Sequence, residues 1–385
     1  MASGKCFRYL IFVLTSVCVA SVKIGLSGVE TPPGPAMFVL GDSSVDCGDN
    51  NPFNGLFHKN LSRFPCNGSD TTLLPQLLAK RMKLPYTTPF YSQNGSIDRI
   101  LGGLNFGSAE ASILSPRSRN YQSLNQQLRQ AFETIQLLQL QLGESTANAF
   151  INSSIFYLSF GKDDFTDFFH NNSLGNSGFD FAHILVEQMT NGVRSLYASN
   201  VRKIVCAGVV PLGCAPQALL LKSGGNGVRK ACLDDVNKVV SYYNRRLEGN
   251  IAGMDRQLGD ARVVFCDVYE GVMEFIDHPD KYGIKDVRNA CCGVVRDGKV
   301  SGCVSTEMAC QEASTHVWWD LQNPTPAVNS LLAQSAWKWW MDTKLVVLPA
   351  SDDGDVVSSP PEEGPSVGVN AADTEIHQTQ VGTKN

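Results

Sequence analysis

Short apolar segments alternate with longer amphipathic segments along most of this chain. The apolar segments are bounded by polar or turn-forming residues, as buried parallel strands are. These predicted strands cover Ala36–Leu40, Ser154–Phe160, Arg202–Val210, Ala261–Asp267 and His316–Asp320. The amphipathic segments predict helices over Thr72–Met82, Tyr121–Leu142, Asp180–Tyr197, Ala231–Met254 and Ala327–Trp340. Alternating strands and helices favour a three-layer α/β domain with a mostly parallel sheet.

The composition is that of a globular chain with an acidic balance. The 385 residues are 43% hydrophobic and 18% charged, which is enough to bury a sizeable core in one large or two medium domains. A formal net charge of -5, without any cluster of lysine and arginine, argues against a nucleic-acid partner. No motif predicts a cofactor or a particular protein partner.

Residues 1–20 have the pattern of a secretory signal peptide. Lys5 and Arg8 supply positive charge, Tyr9–Ala20 is apolar, and Cys18–Ala20 is a small-residue cleavage site. The apolar run is shorter than the roughly 20 residues that a spanning helix needs, and no later stretch reaches that length, so no stable membrane span is predicted. A retained signal anchor is the alternative. Removal of the signal predicts a secreted protein of the extracellular space or cell wall, or of another secretory compartment such as the vacuole.

Five asparagine sequons occur in the first half of the chain. Each has a residue other than proline in its middle position, so each predicts a surface site for N-glycosylation. A single sequon is a weak signal, but five behind a predicted signal peptide agree with one another. The candidate glycosylation sites are Asn60, Asn67, Asn94, Asn152 and Asn171.

The C-terminal segment Ser351–Asn385 differs in composition from the rest of the chain. It is rich in Asp, Glu, Ser, Pro and Gly and has no aromatic residue and no apolar periodicity. Such a segment buries too little apolar surface to offset the entropy of ordering. Residues 351–385 are therefore predicted to form a disordered acidic tail.

The first predicted strand ends in a turn that carries a candidate nucleophile. The stretch FVLGDSSVDCGDNN covers Phe38–Asn51, and in it a glycine and an aspartate separate the strand from Ser43. Chemistry in parallel sheets collects at the carboxyl ends of strands, where the Ser43 hydroxyl would be presented. The alternative is that Asp42 or Ser43 caps the next helix, since both residue types are good N-caps.

This stretch resembles the block that carries the nucleophile in the plant GDSL esterase/lipase family, a branch of the SGNH hydrolases. Five further blocks follow in that family's order. They are GGLNFGSAEASIL (Gly102–Leu114), FYLSFGKDDFTDFF (Phe156–Phe169), VVPLGCAP (Val209–Pro216), NACCGVV (Asn289–Val295) and HVWWDLQNPTPAVN (His316–Asn329). The resemblance runs from about Met37 to Trp340 and implies a domain over residues 31–345 with a flavodoxin-like, three-layer α/β/α SGNH hydrolase fold. It also implies a carboxylic ester hydrolase whose ligand is a lipid or another acyl ester.

The family's catalytic roles carry over to only two matching residues. Ser43 matches the nucleophile, and Asp320 matches the acid that orients a histidine base. Where the family has Asp-x-x-His-Pro, this chain has Asn323, whose carboxamide has no basic nitrogen. Where the family has Gly-x-Asn-Asp, Asp163 replaces the asparagine that donates to the oxyanion. In the second block of the family, glycines are common where Glu110 stands in this chain. The Glu110 side chain therefore adds a second acid near the expected oxyanion site.

These substitutions predict a family member with lost or severely impaired hydrolysis. Removing a triad member typically costs on the order of 10⁴–10⁶ in turnover, and losing one oxyanion donor on the order of 10²–10³. The alternative is an active esterase or acyltransferase that uses Ser43 with a substitute base. His278 lacks the Asp-x-x-His spacing, and His316 lies on the strand that leads to Asp320. The other histidines have no motif around them: His58, His170, His183 and His377.

The cysteines predict disulfide bonds. Of the 12 cysteines, Cys6 and Cys18 lie in the predicted signal, which leaves ten, an even number, for an oxidising compartment. Two groups recur in the resembled family, and a further bridge across the first loop is open to Cys47 and Cys66. The two groups are Cys214 with Cys232, and Cys291, Cys292, Cys303 and Cys310. Metal binding is the alternative, but Cys-x₂-Cys pairs at zinc spacing are missing.

Overall fold

A six-stranded parallel sheet organises the computed structural model, which describes residues 34–46, 73–114, 122–171, 176–222, 231–296, 299–301 and 309–342. The strands lie in the order β2-β3-β1-β4-β5-β6, and every pairing is parallel. Their bounds are β1 Met37–Gly41, β2 Thr88–Pro89, β3 Leu104–Asn105, β4 Ile155–Ser159, β5 Lys203–Ala207 and β6 Arg262–Cys266. After β1 the chain adds β2 and β3 on one side and β4 to β6 on the other. The carboxyl end of β1 therefore lies at a topological switch point, where ligands of open α/β sheets bind.

Ten α-helices accompany this sheet in the residues that the structure describes. Their apolar faces bury against it, which explains why β1 and β4 are apolar at nearly every position and buried throughout. The helices are α1 Leu74–Arg81, α2 Ile97–Leu101, α3 Leu124–Leu142, α4 Glu144–Ser153, α5 Lys162–Asn171, α6 Asn176–Ala198, α7 Pro216–Lys222, α8 Asp234–Gln257, α9 Val268–Asp277 and α10 Pro326–Asp342. The predicted three-layer α/β/α fold with a mostly parallel sheet is confirmed.

Local sequence signals set where several helices begin. A capping box starts α3, since the Ser123 hydroxyl accepts from the Gln126 amide while the Gln126 side chain accepts from the Ser123 amide. The Asp267 carboxylate caps α9 by accepting from the amide of Glu270. Thr325 precedes α10 and its hydroxyl accepts from the Val328 amide.

The last predicted strand lies outside the six-stranded sheet. β10, His316–Trp318, pairs in parallel with β7, Asp286–Ala290, and the two form a separate small sheet. β8, Val294–Arg296, and β9, Lys299–Ser301, form an antiparallel hairpin. The short strands β2 and β3 were not predicted, because two residues are too few to carry an alternating or apolar pattern.

The predicted disulfides are confirmed in part. Cys214 bonds to Cys232, Cys291 bonds to Cys310, and Cys292 is also disulfide-bonded. Not all of the ten cysteines form disulfides, because Cys206 on β5 and Cys266 on β6 are free and buried. Both thiols lie inside the core, and burial raises the pKa of each to about 12.

Several predicted features lie wholly or partly outside the described residues. They are the signal peptide at 1–20, the tail at 351–385, the sequons Asn60 and Asn67, and Cys47, Cys66 and Cys303. Asn94 and Asn152 are exposed, and Asn171 is the last residue of α5. No helix in the described ranges has both the length and the apolar character needed to cross a membrane. Within the same ranges, no group of three or more His, Cys, Asp or Glu side chains is placed to hold a metal ion.

Candidate active site

The loop after β1 is held in place at Gly41, two residues before Ser43. The Gln127 side chain, on α3, accepts from the Gly41 amide and donates to the Gly41 carbonyl, both over 2.8 Å. A side chain at Gly41 would collide with Val45 and with the carbonyl of Ser159, so the turn requires glycine. These contacts fix the direction in which the chain leaves the sheet.

Asp42 joins this loop to the start of α5. Its Oδ1 accepts from the Ser44 amide over 2.9 Å, and its Oδ2 accepts from the Lys162 amide over 2.9 Å. The helix that Asp42 caps is therefore the one after β4, not the next helix along the chain. Burial raises the pKa of Asp42 to about 6, the nearby Asp163 charge adds to this effect, and the Lys162 charge opposes it.

The Ser43 side chain is held between two charged groups of α5. Its hydroxyl donates to Asp163 Oδ1 over 2.5 Å and accepts from Lys162 Nζ over 2.5 Å. Ser43 is thus presented at the carboxyl end of β1, as predicted. Its hydroxyl does not cap a helix, and its hydrogen-bonding positions are filled by an acid and an ammonium group.

Asp163 accepts hydrogen bonds from two backbone amides of different loops. Its Oδ2 lies 3.0 Å from the amide nitrogen of Ser43 and 2.9 Å from that of Glu110. Glu110 has a φ of 60°, an uncommon conformation for a residue with a side chain, and its own side chain is exposed. The second block therefore contributes the Glu110 amide to this site, whereas the Glu110 carboxylate faces solvent.

Lys162 was not predicted as a site residue. Its side chain is only 4% exposed, and its Nζ lies 3.2 Å from Asp163 Oδ1 and 3.4 Å from Gln322 Oε1. Desolvation alone would lower the pKa of Lys162, but the charges of Asp163, Asp42 and Asp320 outweigh it and raise that pKa. The neighbouring carboxylates therefore favour the ammonium form of the group next to Ser43.

Asp320 and Asn323 lie in one turn, as their spacing predicts. The Asn323 carboxamide donates from Nδ2 to Asp320 Oδ2 over 2.9 Å, and its backbone amide donates to Asp320 Oδ1 over 2.7 Å. The Asn323 Oδ1 atom is buried and has no hydrogen-bond partner. The orienting acid therefore holds an amide where the resembled family has a histidine.

None of the described histidines is hydrogen-bonded to Ser43. The nearest partner of His278 is Glu274, with 3.2 Å between Nδ1 and Oε2, and both side chains are partly exposed. His316 lies 3.2 Å from the Glu312 carbonyl and 4.0 Å from Asp286. His183 pairs with Glu187. His170 lies beside a different cleft, and His58 and His377 are outside the described residues.

Asp164 holds the loop of the second block, Gly102–Leu114, through the amide of Ile113. It is buried, and both of its oxygens accept from the Ile113 amide, over 3.0 and 3.1 Å. Burial raises the pKa of Asp164 to about 7, and the bond from Ile113 acts in the opposite direction. This carboxyl holds the loop that delivers the Glu110 amide.

Two clefts are lined by residues of the site or by their neighbours. One has an empty volume of about 640 Å³ and is lined by Ser43, Lys162 and Asn323 together with apolar residues such as Leu74, Val209 and Leu332. The other has an empty volume of about 420 Å³ and a mostly apolar lining that includes Phe169, Leu212 and Val236. Gln322 lies at the second cleft, where it accepts from Lys162 and from Thr166 and donates to Gln217.

Lys162 and Gln322 are the two site residues that the sequence did not indicate. Both lie inside family motifs, at positions where the motif of the resembled family specifies no residue. The signal for Lys162 is its place at the first turn of a helix beside two aspartates, where the carboxyl ends of β1 and β4 meet. No local pattern marks Gln322.

The sequence matches known proteins over most of its length. Residues 37–336 match the family described as GDSL-like Lipase/Acylhydrolase. A GDSL esterase/lipase of Arabidopsis thaliana is 31% identical over 321 residues, which are 78% of this chain and 84% of the relative. GDSL esterase/lipase 7 of the same plant is 29% identical over 332 residues, which are 81% of this chain and 90% of the relative.

Solved structures give a more distant likeness. A carbohydrate acetylesterase from Sinorhizobium meliloti covers 80% of this chain and 99% of its own, with 10% identity and a TM-score of 0.33. The periplasmic domain of a lipopolysaccharide acetyltransferase from Salmonella covers 81% of this chain and 85% of its own, with 10% identity and a TM-score of 0.38. Likenesses at this level carry no argument about substrate.

Proposed function

Because this chain belongs to the GDSL-like lipase/acylhydrolase family, we propose that it is a secreted esterase/lipase-like protein whose hydrolysis of carboxylic esters is lost or severely impaired. The observation that carries the proposal is the hydrogen bond from Asn323 to Asp320, which puts a carboxamide where a base is required. The proposal concerns this member and not the family, whose members bind and hydrolyse esters.

Ester hydrolysis by Ser43 requires a group that takes the hydroxyl proton. A carboxamide does not accept a proton near neutral pH, so Asn323 leaves Ser43 a weak nucleophile. The Asp320 carboxylate accepts from the backbone amides of Gln322 and Asn323 and from the Asn323 side chain. The side chain that it orients is therefore a carboxamide, which cannot activate the serine.

Stabilisation of the oxyanion is lost as well. A tetrahedral intermediate needs donors aimed at the oxygen that becomes negative. The Ser43 and Glu110 amides are suitable donors, but both already donate to the Asp163 carboxylate. An ester carbonyl would have to displace that carboxylate, and the displaced negative charge would remain close by.

A second candidate function is hydrolysis or acyl transfer with Lys162 as the base. The 2.5 Å distance between Lys162 Nζ and Ser43 Oγ favours it, because serine–lysine pairs are known variants of the catalytic triad. A lysine base must lose its proton near neutral pH, which requires a lowered pKa. The pKa of Lys162 is raised instead, so we retain impaired hydrolysis as the leading function.

Secretion and glycosylation belong to the same proposal. Five of the described cysteines are disulfide-bonded, which suits an oxidising compartment: Cys214, Cys232, Cys291, Cys292 and Cys310. The sequon residues Asn94 and Asn152 are exposed. We propose an extracellular or cell-wall protein, with removal of residues 1–20 and an acidic C-terminal segment at 351–385 that takes no part in the hydrolase-like domain. Its two clefts are proposed to bind an acylated lipid or another ester without turning it over.

Labelling with a fluorophosphonate probe tests this proposal, because such probes react with activated serines. The parent, Ser43→Ala and Ser44→Ala are compared at equal concentration, with far-UV circular dichroism as the check of folding. We expect labelling of the parent to be as weak as that of Ser43→Ala. Strong labelling of the parent and of Ser44→Ala, lost in Ser43→Ala, would refute impaired hydrolysis and favour the lysine-assisted alternative.

A further inference from the structure

We propose that the Ser43 and Glu110 amides form a binding site for a small monocarboxylate, which the chain fills with its own Asp163 side chain and so keeps closed to other ligands. The proposal rests on the proposed function only in placing the carbonyl oxygen of an ester at these amides. It concerns binding, so it can be tested without any turnover.

The contacts of Asp163 are those of a bound carboxylate. Its Oδ2 accepts from the amides of Ser43 and Glu110 over 3.0 and 2.9 Å, and its Oδ1 accepts from the Ser43 hydroxyl and lies 3.2 Å from Lys162 Nζ. Two donors reach each oxygen. Charge-assisted bonds of this kind are stronger than neutral ones, so they define a specific site and not a chance contact.

The two amides are held by contacts that do not involve Asp163. On one side, Gln127 clamps Gly41 and the Asp42 carboxylate fixes the turn through the Ser44 amide. On the other side, the Ser108 amide donates to the Gly41 carbonyl over 3.1 Å.

The turn around Glu110 is fixed separately. The Ala109 amide donates to Asp46 over 2.9 Å, and the Ala111 amide donates to the Ser108 carbonyl over 3.1 Å. Removing the Asp163 carboxylate therefore leaves the donors of both loops in position, with a vacant space between them.

Charge and size select the ligand. Lys162 is the cation in contact with Asp163. Asp42 and Asp320 are close enough to Lys162 for their negative charges to raise its pKa. An external ligand with one negative charge restores the native balance, whereas a dianion such as sulfate adds a charge beside two other carboxylates. The site is the size of one carboxylate group, so acetate or formate is the expected ligand.

An acetate titration of full-length Asp163→Ala tests the site. Thermal unfolding is followed in sodium acetate and in sodium chloride at equal ionic strength and pH, for the variant, the parent and Asp167→Ala. Asp167→Ala is the matched control, because it removes a carboxylate from the same helix, four residues away. We expect acetate to stabilise Asp163→Ala alone.

The size of the effect follows from mass action. For a dissociation constant near 10 mM, about 100 mM acetate would raise the folded-to-unfolded ratio roughly tenfold. Adding Lys162→Met to Asp163→Ala is expected to remove most of this effect. Sodium sulfate, which stabilises folded proteins in general, is expected to stabilise Asp163→Ala no more than the parent. A folded Asp163→Ala that does not distinguish acetate from chloride would overturn the proposal. So would an acetate effect that Lys162→Met leaves undiminished.

A second measurement uses the parent and does not depend on folding of the variant. Scalar couplings across hydrogen bonds are measured by nuclear magnetic resonance from the amide nitrogens of Ser43 and Glu110. We expect both amides to couple to the same carbon, Cγ of Asp163, because both donate to Oδ2. Absence of both couplings, in a spectrum that resolves couplings within the helices, would contradict occupancy of the site by Asp163.

Discussion

The Asn323 side chain donates to Asp320 over 2.9 Å, within the single turn that the three-residue spacing creates. A histidine at position 323 would meet the same acid, so the support for a base is retained while the base is not. The same turn leads into α10 through Thr325, whose hydroxyl accepts from Val328 and donates to the His316 carbonyl. The structural use of this turn is therefore independent of proton transfer.

Restoring the two missing groups is expected to restore hydrolysis. In Asn323→His with Asp163→Asn, an imidazole replaces the carboxamide next to Asp320, and a neutral amide replaces the carboxylate at the Ser43 and Glu110 amides. General base catalysis typically contributes on the order of 10²–10⁴, so we expect kcat/KM for p-nitrophenyl acetate to rise at least about 10²-fold above the parent. Addition of Ser43→Ala should abolish the gain. A parent that already shows turnover dependent on Ser43 would contradict the premise.

Lys162 is expected to be important for stability. It is the buried cation that compensates Asp163, Asp42 and Asp320, and Lys162→Met would leave these carboxylates without it. Breaking a buried ion pair from one side typically costs about 3–5 kcal/mol, so the free energy of unfolding in urea should fall by that order. Lys238→Met, which removes the exposed partner of Asp235, is the control and should change little. Equal effects of the two substitutions would show that burial does not matter here.

Asp164 is expected to make stability depend on pH. Its pKa is raised from 3.8 to about 7 by burial, so the folded state holds the proton more tightly than the unfolded state. Its contribution is fully present below about pH 4 and is lost as the pH rises through about 7, a difference on the order of 4 kcal/mol.

The measurement is urea unfolding of the parent and of Asp164→Asn at several pH values. The stability of the parent relative to Asp164→Asn should fall between about pH 4 and pH 8. Asp277→Asn, at an exposed position, serves as the control. A difference between parent and Asp164→Asn that stays constant over this range would show that Asp164 does not titrate there.

The sequence predicts the long elements because burial on both faces leaves a strong apolar pattern. β4, β5 and β6 fall within predicted strands, and β1 extends one residue beyond its predicted end at Leu40. The helices α3 and α6 differ from the predicted helices by no more than a few residues at the ends. The pairing of β10 with β7 was not predictable in this way. A single strand pattern does not say which other segment of the chain provides its partner.

The site residues also divide into those that a local motif predicts and those that only the folded chain brings together. Ser43, Asp163, Asp320 and Asn323 are found from motifs, since each motif fixes a residue by its local spacing. Lys162 is close to Ser43 only because β1 and β4 are neighbours in the sheet, and the two residues are 119 positions apart. The occupation of the Ser43 and Glu110 amides by Asp163 likewise depends on three segments that meet only in the folded chain.

The free thiols of Cys206 and Cys266 should react only after unfolding. Both are buried, and their pKa values are raised to about 12, so neither exposure nor thiolate character favours alkylation. Iodoacetamide at pH 8 without reductant is expected to leave both residues unmodified in native protein and to modify both in guanidinium chloride. Peptide mass mapping identifies the alkylated cysteines, and Cys214 should stay unmodified in both states because it is disulfide-bonded. Rapid labelling of Cys206 in native protein would contradict its burial.

Gln127 is expected to stabilise the loop that presents Ser43. Its side chain satisfies the Gly41 amide and carbonyl at the end of β1, and it is fully buried. In Gln127→Met the Gly41 carbonyl keeps the Ser108 amide as a donor, but the Gly41 amide loses its side-chain acceptor. A buried donor without a partner typically costs about 1–3 kcal/mol, so urea unfolding should show a loss of that order.

Gln136→Met places the same change on an exposed position of α3 and should be nearly neutral. If both variants are equally stable, the clamp on Gly41 does not contribute to folding. If only Gln127→Met is destabilised, the bonds from Gln127 to Gly41 stabilise the folded chain at the end of β1.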